Sequence, residues 1–466
     1  MDHAPARGTG TSDRAASSFT PTLLGIVVLA AVVRVLAVTV IDPHVPRLGD
    51  ASAYHHLANN LADGLGYIRP FDLLRFHLHV PTAEYPPLHP FVLSLFARLG
   101  LRSVEAQRLA LAGIGTVTVA LVGLLGRRIA GPTTGLIAAA LAAVSPMFFL
   151  ADATLMSETL YACLVTLALL LALRLREQPS PLRAVGLGLV LGGAVLTRAE
   201  AAVLAILLFA PLVVGRNLDP RRRLLPVLVG FLAVAAVVLP WTLRNQSTFH
   251  QFVPVSNNLG TALAGANCDL TYAGPALGSW RSTFGTGDAA AGRCFTGFNG
   301  SQPRFNEARA AAAARSQGLT FARHHLADLP KVGAARLLRT FGLYHPEQQM
   351  RLEALEGRPL AWERVGTWFD WVLLPLAIAG FVLLIRRRAP WWPLAAAVAT
   401  VIVSTLVTYG NQRFRIGIEP VLVVTAAVTI ATVLGRGPAA SPAASPAASP
   451  TASPTARPAD LRVGDR

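Results

Sequence analysis

Asp50, Tyr54, His55 and His56 stand close together in the run RLGDASAYHHLANNLADGLGY, residues 47–67, and Glu84 with Tyr85 follow it. Asp152 and Glu158, Arg198 and Glu200, Arg244, and Arg413 with Arg415 are the further informative polar residues that border apolar runs on the same expected face. Carboxylates at a membrane edge can take a proton from a hydroxyl group. Guanidinium groups match a phosphate with bidentate, charge-assisted hydrogen bonds. Collected at one depth, these residues outline a site for an anionic ligand beside a carboxylate available for proton transfer, Asp50 among the candidates. Glu84, Asp152 and Glu158 are candidate second carboxylates, and Arg244 and Arg415, then Arg198 and Arg413, are candidate phosphate ligands. Tyr54, His55 and Tyr85 are candidate substrate contacts. Each has a plainer role open to it. Asp50 can cap the helix that it precedes, arginines at helix ends reach for headgroups, and Glu84 can simply pair with an arginine. Adjacent histidines diverge on a helix, which favours a solvated His55–His56 face over a metal site; a divalent metal stays open.

The elements that position these residues must lie in a membrane. The chain has 466 residues, 53% hydrophobic and 14% charged, which is too apolar for a soluble protein of this length. The formal charge of +16 lies in short clusters between apolar runs, as the positive-inside rule requires, and not in a nucleic-acid-binding face. Of 41 basic residues only Lys331 is not Arg, a usage that points to a GC-rich bacterial genome. Apolar segments fall at 22–41, 106–126, 133–150, 157–173, 183–197, 200–215, 224–243, 368–385, 391–409 and 417–435, giving ten expected crossings. Arg127 and Arg128, then Arg174, Arg176 and Arg183, then Arg216 and Arg221 to Arg223, then Arg386 to Arg388, and finally Arg436 fall on one side, the cytoplasmic one. The segment 183–215 is read as two helices broken at LTRAE, because a single helix would invert the alternation downstream.

This arrangement divides the chain into a cytoplasmic tail (1–21), a transmembrane core (22–243) holding a first outer loop (42–105), an extracytoplasmic lobe (244–367), C-terminal crossings (368–435) and an Ala/Ser/Pro tail (436–466) expected to be disordered. Residues 22–41 read as an uncleaved signal anchor, with both termini inside. Leu57, Leu61 and Leu65 predict an amphipathic helix ended by Gly64 and Gly66 and lying flat on the membrane, and residues 86–100 predict a second interface helix. The stretch 304–344 predicts helices interrupted by Pro330, with Val332, Ala335, Leu338 and Phe341 as a packing stripe and no further role. Arg34, inside the first crossing, must face the bundle and pair there. Cys268 and Cys294 fall in the lobe, where they form a disulfide worth about 3 kcal/mol or remain two free thiols. No Walker loop, dinucleotide fingerprint, HExxH or paired CxxC occurs.

The motifs LGDASAYHHLANNLADGLGY and AEYPPLHPFVLSLFARLG resemble the first outer loop of the GT-C membrane glycosyltransferases, in the branch of glycosyltransferase family 39 and protein-mannosyltransferase-like enzymes that includes the aminoarabinose transferases. SPMFFLADATLMSETLY, VLTRAEAAVL, VLPWTLRNQ, GANCDLTYAG and YGNQRFRIGIEP fit the same branch in order, so the resemblance spans about 20–436. It implies an all-α fold of membrane helices with interface helices and an outer lobe. It also implies inverting sugar transfer from a polyprenyl-phosphate donor to an extracytoplasmic acceptor (a cell-envelope glycan, a glycolipid or a protein) at a bacterial plasma membrane. The family's catalytic acid matches Asp50, where many relatives have two adjacent acidic residues and this chain has Ala51 second. A transporter or flippase of lipid-linked sugars is the alternative; it needs polar residues along the whole path and often shows repeats, whereas here the charges crowd one face.

Overall fold

The structure is a computed structural model that describes residues 10–41, 49–214, 220–281, 294–295 and 306–435. The tail 436–466, residues 1–9, and Arg216 and Arg436 of the expected cytoplasmic linkers lie outside the described residues. Among the described residues the regular elements are helices, and a single isolated antiparallel bridge joins Ile68 to Pro81.

The helices run in chain order as α1 Gly10–Leu36, α2 Asp50–Ala62, α3 Pro70–Phe76, α4 Leu88–Arg98, α5 Val104–Ala130, α6 Pro132–Val144 and α7 Pro146–Ala153. Next come α8 Glu158–Glu177, α9 Pro181–Thr197, α10 Ala201–Val214, α11 Pro220–Phe249, α12 Asn258–Ala266 and α13 Asp269–Tyr272. The series ends with α14 Glu307–His324, α15 Leu329–Thr340, α16 Pro346–Leu355, α17 Leu360–Arg386, α18 Trp392–Val407 and α19 Glu419–Val433. All ten apolar segments fall on helices. Five of them, in α1, α5, α8, α11 and α17, are long and apolar enough to cross a membrane, and the pair α6–α7, bent by 51°, makes a sixth. The other four, α9, α10, α18 and α19, have 14 to 17 residues. The chain is thus an all-helical, multi-pass membrane protein.

Two breaks matter for the site. Pro146 cannot donate to the preceding turn and forces Ser145 into an extended conformation, so α6 ends and α7 leaves at an angle. This turns Asp152 onto Arg34, at 2.6 Å and with both side chains buried. Between α9 and α10, Arg198 has extended dihedrals (φ −151°, ψ 122°), so the segment is two helices and Arg198 sits at their junction.

Close helix contact depends on residues without a side chain. A Cβ added to Gly380 of α17 would lie 1.8 Å from the Thr425 carbonyl oxygen of α19, and one on Gly188 of α9 would lie 2.3 Å from that of Gly230 in α11.

The expected first interface helix is α2. Leu57 is fully buried, Leu61 is half-buried, and Leu65 lies past the helix end and is 41% exposed. Gly64 and Gly66, both at positive φ, close the turn. In α15 the expected stripe is only partly realised. Val332 and Ala335 are buried against Tyr272 and Leu277, while Leu338 is 42% exposed, because the buried side of the helix also takes up Arg336 and Arg339. Those two arginines donate to the carbonyls of Ala266, Leu277 and Pro275. Cys268 and Cys294 are disulfide-bonded and pack with Ala264, Phe295 and Ala314.

Candidate active site

Asp50 occupies the first turn of α2. The N-cap is Gly49, at φ +102°, and no side chain caps the helix, so the Asp50 carboxylate is directed elsewhere. Its Oδ1 accepts the Tyr85 hydroxyl at 3.0 Å, and its Oδ2 lies 3.6 Å from an Arg413 nitrogen. The Asp50 side chain keeps 36% of its surface open, which leaves a carboxylate that is fixed in place yet reachable. The Tyr54 ring packs between those of Tyr85, at 4.9 Å, and His89, at 4.7 Å. Burial and the Asp50 charge raise both phenols above their ordinary range, so Tyr85 stays a proton donor toward Asp50.

Arg413 is the hub of the site. Its Nε donates to Glu158 Oε1 at 2.7 Å, while its two terminal nitrogens face Asp50 at 3.6 Å and Glu356 at 3.5 Å. Burial opposes its charge; Glu158, Glu356 and Asp50 outweigh that and hold Arg413 well above its ordinary value. Glu158, fully buried at the start of α8, shares the same oxygen with Arg198 Nη1 at 3.3 Å. Arg198 also donates to Glu200 at 2.6 Å and lies over the rings of Tyr161 and Phe414. Arg358, held to Glu363 at 3.0 Å, and Glu353 back this cluster; burial raises Glu353 above the ordinary carboxylate range.

Glu84 precedes Tyr85 and is exposed to solvent, with Glu307, Arg69, Asp50 and Asp72 as its charged surroundings. Desolvation there pushes its carboxyl up to about 7. Glu307, Asp50 and Asp72 add to the rise, and Arg69 works against it.

Several candidate residues are placed elsewhere. Asp152 is taken up by Arg34, which faces the bundle as its charge requires. Arg415 is buried between Asp370 and Glu419, where it ties α17 to α19. Arg244 donates to the carbonyls of Thr82, at 2.7 Å, and Tyr67, at 3.1 Å, and lies 4.9 Å from the Trp241 ring centroid. His55 bonds Gln107 at 2.9 Å and meets the His56 ring edge-on. Among the described residues no group of three or more His, Cys, Asp or Glu is placed to hold a metal ion.

The sequence alone does not single out Glu307, Glu353, Glu356 or Arg358. EALEGRPLAWER, with five charged residues around Gly357, carries the one available signal for three of them.

Residues 84–241 match the family model described as dolichyl-phosphate-mannose-protein mannosyltransferase. That range includes Glu84, Tyr85, Asp152, Glu158 and Arg198 and excludes Asp50 and Arg413. Over 90% of its length the chain superposes on the crystal structure of the Archaeoglobus fulgidus oligosaccharyltransferase tethered with an acceptor peptide, with a TM-score of 0.52 and 15% identity. The same archaeal protein, AglB, in complex with an inhibitory peptide and a dolichol-phosphate, matches at a TM-score of 0.49 and 17% identity, over 89% of this chain and 50% of that one. ArnT from Cupriavidus metallidurans in the apo state matches at 0.39 and 16%, over 89% of this chain and 78% of that one. The chain spans about half the length of the archaeal protein. No curated protein is significantly similar to it in sequence. The family match and the 0.52 superposition together uphold the likeness to the GT-C membrane glycosyltransferases, whose helical membrane fold this chain shares.

Proposed function

We propose that the chain is an inverting glycosyltransferase of a bacterial plasma membrane that moves a sugar from a polyprenyl-phosphate donor to an acceptor hydroxyl on the extracytoplasmic side. The observation that supports this reading most directly is the Asp50 carboxylate, half-open, held by the Tyr85 hydroxyl and set 3.6 Å from Arg413. A base and a cation are then adjacent at one end of the helix bundle. Asp50 takes the proton as the acceptor oxygen attacks the anomeric carbon, and the phosphate leaves from the opposite face with inversion.

The leaving group develops charge that fixed cations stabilise. Arg413 and Arg198 suit this role, because both remain partly accessible and both are oriented by Glu158. Arg244 and Arg415 suit it less, being saturated by carbonyls and by buried carboxylates respectively. The lipid tail enters between helices at the membrane while the acceptor arrives from the aqueous side, which accounts for an acidic helix beside apolar spans.

The test is donor turnover by the purified chain in lipid, with labelled polyprenyl-phosphate sugars and an envelope extract as acceptor. Consumption of one donor by wild type, lost in Asp50→Asn with donor binding kept, supports the reading. If no donor in the panel is consumed, or Asp50→Asn works as well as wild type, the reading fails.

A further inference from the structure

Tyr85 orients Asp50, so whatever fixes Tyr85 belongs to the site. Residues 82–85 are held from outside at five of their eight backbone polar groups. Thr82 N–H donates to the Tyr67 carbonyl at 3.1 Å, and Arg244 donates to the Thr82 carbonyl. Glu307 Oε1 accepts from Ala83 N–H, and the Ala83 carbonyl accepts from Asn257 N–H at 2.8 Å. The Tyr85 carbonyl accepts from the Tyr67 hydroxyl at 3.0 Å. Ala83 is fully buried among Phe249, Val253 and Ala308.

Glu307 is central to this clamp. Its carboxylate also accepts the Thr82 hydroxyl at 2.9 Å and the Asn257 amide at 2.9 Å, and Arg69 lies 3.7 Å away. Three hydrogen-bond donors converge on two oxygens with Arg69 at ion-pair distance, an arrangement that suits an ionised carboxylate against the cost of its burial. The residue opens α14 in the lobe, whereas the segment it holds belongs to the first loop, more than two hundred positions earlier. No other role for so buried a carboxylate (7% exposed) is evident from its neighbours.

We infer that Glu307 is a positioning residue that fixes the Glu84–Tyr85 segment from the lobe and, through Tyr85, sets the carboxylate of Asp50. This rests on the transfer reading only for its kinetic consequences. Its charge also faces Glu84, together with the like charges of Asp50 and Asp72 and the opposing Arg69, so that loss of the Glu307 charge eases the ionisation of Glu84.

The experiment compares the full chain with Glu307→Gln, whose amide turns a donor toward donors. Hydrogen exchange of the peptide containing residues 82–85 should quicken at least tenfold while α5 and α8 are unchanged. Transfer should lose tenfold or more in kcat with donor KM within twofold, and the inflection that Glu84 gives the pH–rate profile should move to lower pH. Glu307→Asp, which keeps the charge, should recover part of the lost kcat. Exchange within twofold of wild type, or a loss confined to donor KM, overturns the proposal. If Glu307→Gln does not fold, Asn257→Ala removes one donor and decides by the same exchange criterion. If wild type consumes no donor, the transfer reading fails, and the exchange measurement still decides whether Glu307 holds the segment.

Discussion

Asp50 carries two constraints, one phenol and one guanidinium, and an open remainder, which are the requirements for a base that must meet a substrate oxygen. Asp50→Asn keeps the Tyr85 contact and removes the basicity, so transfer should fall by about 10²-fold or more with little change in donor affinity, as single-turnover and binding measurements would show. Glu84 makes a separate prediction. With its carboxyl pushed up to about 7, it ionises across neutrality and adds a negative charge beside Tyr85. The pH–rate profile should therefore carry an inflection near 7, and Glu84→Gln should remove it. The same shift bears on folding with a definite sign. A raised carboxyl binds its proton more tightly in the folded chain, so its contribution to stability is complete below the unfolded value and is lost as pH rises through about 7. A rate profile in Glu84→Gln identical to wild type would remove Glu84 from this account.

At the scale of elements, helices of the bundle approach more closely than side chains permit. Gly380 brings α17 against α19, and that pair flanks the buried Arg415–Asp370–Glu419 group. Gly380→Ala would set a methyl 1.8 Å from a backbone oxygen that cannot swing away, so the helices must separate. The expected cost is about 1–3 kcal/mol, read as a lower midpoint in thermal or denaturant unfolding; an unchanged midpoint would mean that the helices slide freely. The helices themselves were legible in sequence, because apolar length, arginine punctuation and Pro or Gly at ends are local signals. Asp50, Tyr54, Glu84 and Tyr85 were legible too, being polar residues bordering those helices. What local pattern does not carry is pairing across the chain. Arg413 meets Asp50, Glu158 and Glu356, from three distant parts of the sequence, and Glu307 reads on its own as an ordinary first-turn acid of an alanine-rich helix. For the same reason Arg244 and Arg415 read as phosphate ligands, although their partners are carbonyls and carboxylates that only folding brings to them.

At the scale of the molecule, residues 50–85 and the stretch from Asn257 to Glu356, proposed as first loop and lobe, meet at the candidate site. The lobe contributes Asn257 and Glu307 to the segment that carries Tyr85, and Glu356 to Arg413. Its internal order therefore reaches Asp50 through two routes. The Cys268–Cys294 disulfide closes a loop with a sequence separation of 26 and lies beside the α12–α14 contact, where Gly260 faces the Ala311 carbonyl and Gly318 that of Leu263. Reduction, or the double change Cys268→Ser with Cys294→Ser, frees that loop in the unfolded chain and should cost about 3 kcal/mol. Because the membrane helices keep their own contacts, the loss should appear as faster hydrogen exchange in α12 and α14, with α5, α17 and α19 unaffected. Transfer should weaken along with it, since α14 carries Glu307 and the residue before α12 is Asn257. Full activity in a lobe whose exchange has quickened would show that the site tolerates a loose lobe, and that the membrane helices alone set Asp50.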